Sequence, residues 1–462
     1  TTEAGTTEYV YDALSRLEKV KDGSEVLADY DYDAVGNLVR TSRADGTVEV
    51  RGYDLRHRLT DIETKNSVGT VISGFSYTLD GVGNRTRVEE FDGRTVDYVY
   101  DAVNRLTQEK IGDRTIDYAY DLAGNRLSRN DSASGLTTYS YDANDRLTQM
   151  FAGGVTTSFA YDDNGSMLSR SNGVESVTYD WINDGENRLV GVNIDGPGGS
   201  SDIEYVYNAE GIRVAEIVDG ARTNYLVTPG MLSDVLLEYS SDGTVTKDFV
   251  YGLGLVRSTE GGSDSFFHAD GLGSVRMVTD TTGLVSEEFV YDAYGVSLSG
   301  DVEGFGFAGE QRDGETGLDY LRARYYDPEL GRFISKDQFA GFFNDPMSLH
   351  DYQYAHANPV NNTDPTGYFT LQEVGTAISV AGILTSVGSS AGYVGYEYLT
   401  GDGITGDEAI LMLDRWMAGF AHAVSGGLTT VVRGEDGQIH EVEHSFLWNM
   451  GVLAGTSVSF LV

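Results

Sequence analysis

YVYDAVNRLTQEKIGDRTIDYAYDLAGNRLSR (98–129) holds two copies of one unit, and its reading decides the fold. Tyr98-x-Tyr100 and Tyr118-x-Tyr120 put two rings on one face of a strand, because side chains alternate with period two. Asp101 and Asp121 end that strand. The small residues that follow, with Gly124-Asn125 in the second copy, make a tight turn. Arg105-Leu106 and Arg126-Leu127 then open the return strand. Each unit is therefore a β-hairpin. A lone hairpin cannot bury its apolar face, so stacking on its neighbours stabilises it.

Working outward, further copies stand at 9–20, 30–41, 53–62, 139–150 and 159–170, with weaker ones at 76–87, 178–192 and 205–217. The period is roughly twenty residues. Asp12, Asp33, Asp142 and Asp162 recur at the strand ends, and the repeated Asp and Arg read as a ladder of turn caps and ion pairs. Residues 221–300 are more irregular. FFHADGLGSVRMVTDTTGLVSEEFVYDAYG (266–295) reads as a hairpin of Val275, Met277 and Val278 with Phe289 and Tyr291, after a turn at Asp270, Gly271 and Gly273. His268 reads as a packed histidine.

Composition agrees with a turn-rich, aromatic-rich β protein. There are 58 glycines and 30 tyrosines but 6 prolines in 462 residues, long enough for a large core. The formal charge of -40 argues against a nucleic-acid partner, which needs a basic face. The absence of cysteine excludes disulfides, thiolate zinc sites and cysteine nucleophiles. The chain starts at Thr1 and shows no signal peptide, so a mature product or a fragment is expected.

Past the repeats come QRDGETGLDYLRARYYDPELGRFISKDQF (311–339) and DYQYAHANPVNNTDPTG (351–367). Arg312, Arg322, Arg324 and Arg332 stand among Tyr320, Tyr325, Tyr326 and Phe333 and the acids Asp313, Asp319, Asp327 and Asp337. In a chain with few cations, that mixture predicts buried ion pairs and ring stacking, hence a rigid plug.

The Tyr-Asp, Gly-Asn and Arg-Leu positions resemble the YD repeat of RHS proteins, and 311–367 resembles the RHS-associated core domain. The resemblance implies a mostly β fold of tandem hairpins spiralling into a shell or barrel-like rod, closed by a core plug and followed by a small α-rich segment. Its divisions are 1–300, the shell; 301–367, the core; and 368–462, a variable tail. In toxin-bearing members the core is an aspartyl-type self-protease, cutting just after a terminal Asp-Pro-x-Gly-Leu. That chemistry needs one carboxyl that keeps a proton and another that activates water. The matching positions are Asp337 and Asp364, with Asp345 as a looser third acid, and the implied scissile bond is Tyr368–Phe369. Gln338 stands where the family has proline, and Tyr368 where it has leucine.

In the tail, VGTAISVAGILTSVGSSAGYVGYEYL (374–399) has small residues at helix-packing spacing, which predicts a buried or interfacial helical pair, with membrane contact as the alternative. Residues 406–427 read as an amphipathic helix with Ile410, Leu413, Met417 and Phe420 in its stripe. His440-Glu441-x-x-His444 fits a zinc motif, but TTVVR, GEDGQ and IHEVEHSF alternate like a hairpin, so these three are weak metal candidates. No cofactor is expected. About 28 strands at roughly 4.8 Å would roll into a tube of radius about 20 Å, while a folded tail of about 95 residues has a radius near 16 Å. A tail presented by a secreted shell, with a cut after Tyr368, is the leading expectation. The alternative is an extracellular structural or filament-forming protein whose tail mediates assembly or surface attachment, and a tail metalloenzyme is the minor one. The expected partners are the chain's own tail, neighbouring subunits or a cell surface.

Overall fold

The computed structural model describes residues 6–182, 187–300, 304–341 and 346–372, with the strand pair Val432–Arg433 and Ile439–His440. Two compact units divide the chain, Thr1–Ile378 and Ser379–Val462. In the first, strands from Thr7–Tyr11 to Val285–Glu288 form one 27-stranded sheet. Each strand pairs antiparallel with the next, as Tyr98↔Glu109 and Tyr118↔Arg129 illustrate.

The repeat has a fixed internal logic. Its first tyrosine is buried on the inner face, as at Tyr30, Tyr77, Tyr118 and Tyr139. Just before the second, the register slips by one residue, between Asp31 and Tyr32, Ala119 and Tyr120, and Ser140 and Tyr141. A bulge re-aims a side chain. Here it sends the second hydroxyl to a carbonyl of the preceding unit: Tyr32 donates to Leu17 O at 2.7 Å, Tyr100 to Arg85 O at 2.6 Å, Tyr120 to Leu106 O at 2.8 Å and Tyr141 to Arg126 O at 2.8 Å.

The turns come in two alternating kinds. After Asp12, Asp54, Asp101 and Asp142 the fourth residue is arginine, and Arg105 Nε donates to Asp101 Oδ2 at 2.7 Å. After Asp33, Asp80 and Asp121 it is asparagine, preceded by Gly36, Gly83 or Gly124 at positive φ. The arginine turns place Ser15, His57, Asn104 and Asp145 at positive φ instead, a conformation that normally favours glycine. Three of these receive the previous turn's asparagine: Asn37 Nδ2 lies 3.2 Å from His57 Nδ1, Asn84 Nδ2 donates to Asn104 Oδ1 at 3.0 Å, and Asn125 Nδ2 to Asp145 Oδ1 at 2.6 Å. The strained residue is kept because its side chain joins the neighbouring turn.

The fifth residue after the aspartate faces inward, as Leu17, Leu38, Leu106 and Leu147 do. This corrects one reading. Arg126-Leu127 is not equivalent to Arg105-Leu106: Asn125 takes the capping place, Arg126 the core place, and Leu127 is exposed. Arg85 follows the same rule after Asn84.

The sheet curls until residues far apart in sequence meet. Tyr30 Oη accepts from Leu253 N at 3.2 Å, and Arg257 pairs with Asp22 at 2.9 Å. Val250 and Val256 join Leu17, Val20, Leu27 and Tyr30 in one apolar cluster. Some twenty strands per circuit give a radius of about 15 Å, tighter than one roll of the whole sheet. That interior is filled. Strands Gly304–Phe305, Gln311–Arg312, Asp319–Leu321, Arg324–Asp327 and Arg332–Phe333 make a five-stranded sheet, with Tyr326 stacked on Tyr354 at 4.1 Å. Leu318, Tyr320, Tyr325, Leu330 and Ile334 pack against Tyr139, Leu147, Val177, Ile203 and other inner-face residues of the repeats. One cavity left beside the plug measures about 70 Å³ and is lined by Tyr98, Arg276, Phe307 and Val360 among others.

Candidate functional site

The plug's sequence-predicted charges are all hydrogen-bonded, several of them to an opposite charge. Arg312 grips Asp319 with two bonds, Nε to Oδ1 at 2.7 Å and Nη2 to Oδ2 at 2.9 Å. Asp313 caps Glu315 and Thr316 and accepts from the Tyr205 hydroxyl. Asp327 meets Arg170 at 3.1 Å, and Arg332 donates to Asp145 O at 2.6 Å. Tyr325 packs in tilted contact with the rings of Tyr205 and Tyr320, and the Tyr326 hydroxyl donates to Tyr294 O. These contacts tie plug to shell. His268 is buried and bonded to Thr279 Oγ1 at 2.8 Å, and burial holds its pKa well below the usual histidine range.

Asp337 and Asp364 form a different arrangement. They lie 27 residues apart in sequence yet meet the same nitrogen: Arg324 Nη2 is 2.7 Å from Asp337 Oδ2 and 3.3 Å from Asp364 Oδ2. Arg324 is fixed from three sides. Its guanidinium carbon lies 3.6 Å from the Phe333 ring centre, Nη1 donates to Asp351 O at 3.2 Å, and Nε donates to Gly367 O. Asp337 accepts from Phe339 N at 2.7 Å. Asp364 accepts from Thr366 Oγ1 at 3.3 Å. Burial pushes the Asp337 carboxyl up to about 7, against the opposing pull of Arg324, with Asp364 and Asp351 adding to the rise. Burial likewise raises Asp364, with Arg324 opposing.

The bond expected to be cut lies against this pair. Phe369 N, the nitrogen of the Tyr368–Phe369 peptide, donates to Asp364 Oδ1 at 3.2 Å. The Asp364-Pro365-Thr366-Gly367 turn is seated on the hairpin tip Leu321–Arg324: Ala323 N donates to Thr366 O at 3.2 Å and Arg322 Nη1 to Pro365 O at 2.9 Å. Gly367 sits at φ 72°, and a Cβ there would collide with the Leu321 carbonyl. Beyond it, Leu371–Gln372 pairs with Asn362–Thr363, so the chain doubles back on the strand that leads into Asp364. Two buried carboxyls sharing one cation, beside an amide nitrogen, can supply both a base and an acid.

Asp345, Glu441 and His444 lie outside the described residues, as do 374–399 and 406–427. His440 is in a strand, opposite Val432, not on a helix. Among the described residues no helix is long and apolar enough to cross a membrane. Sequence reasoning passed over three inward arginines. Arg85 donates to Val360 O at 2.7 Å, Arg126 to Leu330 O at 2.5 Å and Arg213 to Gln311 Oε1 at 2.8 Å. Their signal was their place, five residues after Asp80, Asp121 and Asn208. Asp351, bonded to Lys336 at 2.9 Å beside Asp337, was missed too, and nothing in its local pattern announces it.

Comparison with known proteins gives three findings. The family model described as Teneurin YD-shell matches residues 82–360. The tRNA nuclease WapA of Bacillus subtilis (strain 168) is 32% identical over 423 residues, which is 79% of this chain and 16% of WapA, and the double-stranded DNA deaminase toxin A of Burkholderia cenocepacia (strain H111) is 31% identical over 182 residues, 32% of this chain and 12% of the toxin. The chain thus spans a small part of the relatives it matches. The crystal structure of TcdB2-TccC3-Cdc42 has a TM-score of 0.64 and 20% identity, covering 81% of this chain and 21% of that one, a likeness of fold.

Proposed function

This chain belongs to the Teneurin YD-shell family and is a YD-repeat protein of the RHS type, and on that premise we propose that it is a secreted shell that presents a variable C-terminal segment and cuts itself between Tyr368 and Phe369. The observation that carries the cut is the Phe369 N–H resting on Asp364 while Asp364 and Asp337 share Arg324 Nη2. At neutral pH the pair holds one proton between them. That proton exchanges between the two carboxyls; in the reacting form it sits on Asp364, and Asp337 as carboxylate takes a proton from water, whose oxygen bonds to the Tyr368 carbonyl carbon. The C–N bond breaks, and Asp364 gives its proton to the Phe369 nitrogen. The products are a chain ending in the Tyr368 carboxylate and a segment beginning with the Phe369 amine.

Presentation of a changeable segment accords with relatives that share this shell and bear different names, a tRNA nuclease and a DNA deaminase toxin. A second reading, a filament or surface protein whose tail mediates assembly with neighbouring subunits or a cell surface, draws on the packed interior. The described plug occupies the space that an enclosed segment would need. The test is a denaturing gel of the expressed chain beside Asp337→Asn and Asp364→Asn. A wild-type cut near residue 368 that is absent from both variants is expected. An intact wild-type chain would falsify the self-protease and leave the assembly reading.

A further inference from the structure

Arg322 stands at the tip of the hairpin that seats the scissile segment, at φ 58°. A non-glycine residue there costs roughly 1 kcal/mol or more, so its side chain is the reason to look for. That side chain meets three separate parts of the chain. Nε donates to Ser233 O at 3.3 Å, and Nη2 lies 4.0 Å from Asp234. Both belong to the loop joining strands Ala221–Val227 and Val235–Ser240 of the repeat sheet. Nη1 bonds the buried Glu310 of the plug and also donates to Pro365 O at 2.9 Å, one residue past Asp364.

We propose that Arg322 is the positioning residue through which shell closure licenses the cut. Its guanidinium fastens the Asp364–Gly367 turn to a loop of the repeat sheet, so the scissile amide reaches Asp364 only when that loop is in place. The inference rests on the self-cleavage reading. It differs from that reading in its residue and in what that residue does: Arg322 bonds neither Asp337 nor Asp364 and sets their position, not their protonation. Without the tether, the turn keeps its bonds to Ala323 and Arg324 but loses its link to the sheet. A misplacement of about 1 Å at a reacting bond can cost on the order of a hundredfold in rate.

The test is the rate at which the full chain, made by cell-free translation, yields its two fragments, followed from pH 5 to 9. Wild type, Arg322→Gln, Arg322→Lys, Glu310→Gln and Asp337→Asn are compared at a temperature where near-ultraviolet circular dichroism shows all to be folded. Arg322→Gln is expected to cut at least about tenfold more slowly with an unshifted pH profile, and Arg322→Lys to recover part of the rate. Glu310→Gln, which removes the carboxylate from Arg322 Nη1 and leaves Asp234 at 4.0 Å as its remaining acid, loosens the tether, is expected to slow the cut as well, and serves if Arg322→Gln does not fold. Cutting at the wild-type rate by either Arg322→Gln or Glu310→Gln overturns the role of Arg322 and leaves the dyad standing. A wild-type chain that never cuts overturns the reading beneath it.

Discussion

At the residue scale, the proposed cut rests first on Asp337. Its carboxyl rises from an ordinary 3.8 to about 7, with burial as the main cause. The folded state therefore holds this proton more tightly than the unfolded chain. The associated stability is fully present below about 3.8 and is lost as pH rises through about 7. Two outcomes follow from the sign. Self-cleavage measured against pH should fall on the alkaline side of about 7, where the pair gives up its shared proton, and fall again in acid, where no carboxylate remains to activate water. Asp337→Asn, neutral at every pH, should abolish the cut and make the stability profile less steep between pH 4 and 7, as urea melts at several pH values would record. Mutant melts as steep in pH as the wild type's would put the titration on another group. The sequence pointed to Asp337 and Asp364 through their motifs. It did not point to the Arg324 bridge or to Phe369 N on Asp364. Both depend on a turn folding back across a hairpin tip, which no local spacing encodes.

At the element scale, the repeat is a hairpin whose parts have separate duties. The Tyr-x-Tyr-Asp pattern made the strand, the turn and the stacking legible, because period-two alternation and Asp-capped turns are local physics. The bulge before the second tyrosine was not legible, because it arises from pairing between strands. Arg126 was read one residue out of place for another reason: it was aligned on the Arg-Leu pair and not counted from Asp121. The two arginine positions predict different costs. Arg146, half-exposed and paired with Asp142 at 2.7 Å, should cost about 1 kcal/mol or less when changed to Ala. Arg126 is buried among Tyr118, Tyr139 and Tyr294, with Nη2 on Leu330 O. Arg126→Met should cost about 2–4 kcal/mol, because the plug carbonyl and the rings lose their partner. Chemical denaturation of both variants checks this. Equal losses would mean that the fifth position after the aspartate does not hold the plug. Tyr120→Phe, which removes a hydroxyl from Leu106 O and from Tyr294, should fall between them at about 1–2 kcal/mol.

At the scale of the whole molecule, buried acids link parts of the chain far apart in sequence. Glu109 accepts from Ala293 N at 3.0 Å beside Asp292, and Glu216 sits with Arg213, Tyr225 and Asp313. Burial raises both from 4.5 to about 8, with Asp292 and Asp313 contributing. Each stabilises the fold below about 4.5 and loses that effect as pH rises through about 8. Melting temperature should therefore drop between about pH 4.5 and 8, and Glu109→Gln with Glu216→Gln should reduce the drop. An unchanged drop would remove these acids from the account. Stacked hairpins were readable from repetition and a plug from the arginine-tyrosine mixture, while the spiral came from the family resemblance. The tightness of the circuit was not readable, because curvature comes from how each bulged hairpin leans on the next. On the reading proposed above, shell and plug converge on one peptide bond. Mass spectrometry of the purified chain under denaturing conditions tests that convergence most directly. The account predicts a fragment ending at Tyr368 and a partner beginning at Phe369, both replaced by the intact chain in Asp364→Asn. An uncut wild-type chain, or a cut at any other bond, would contradict it.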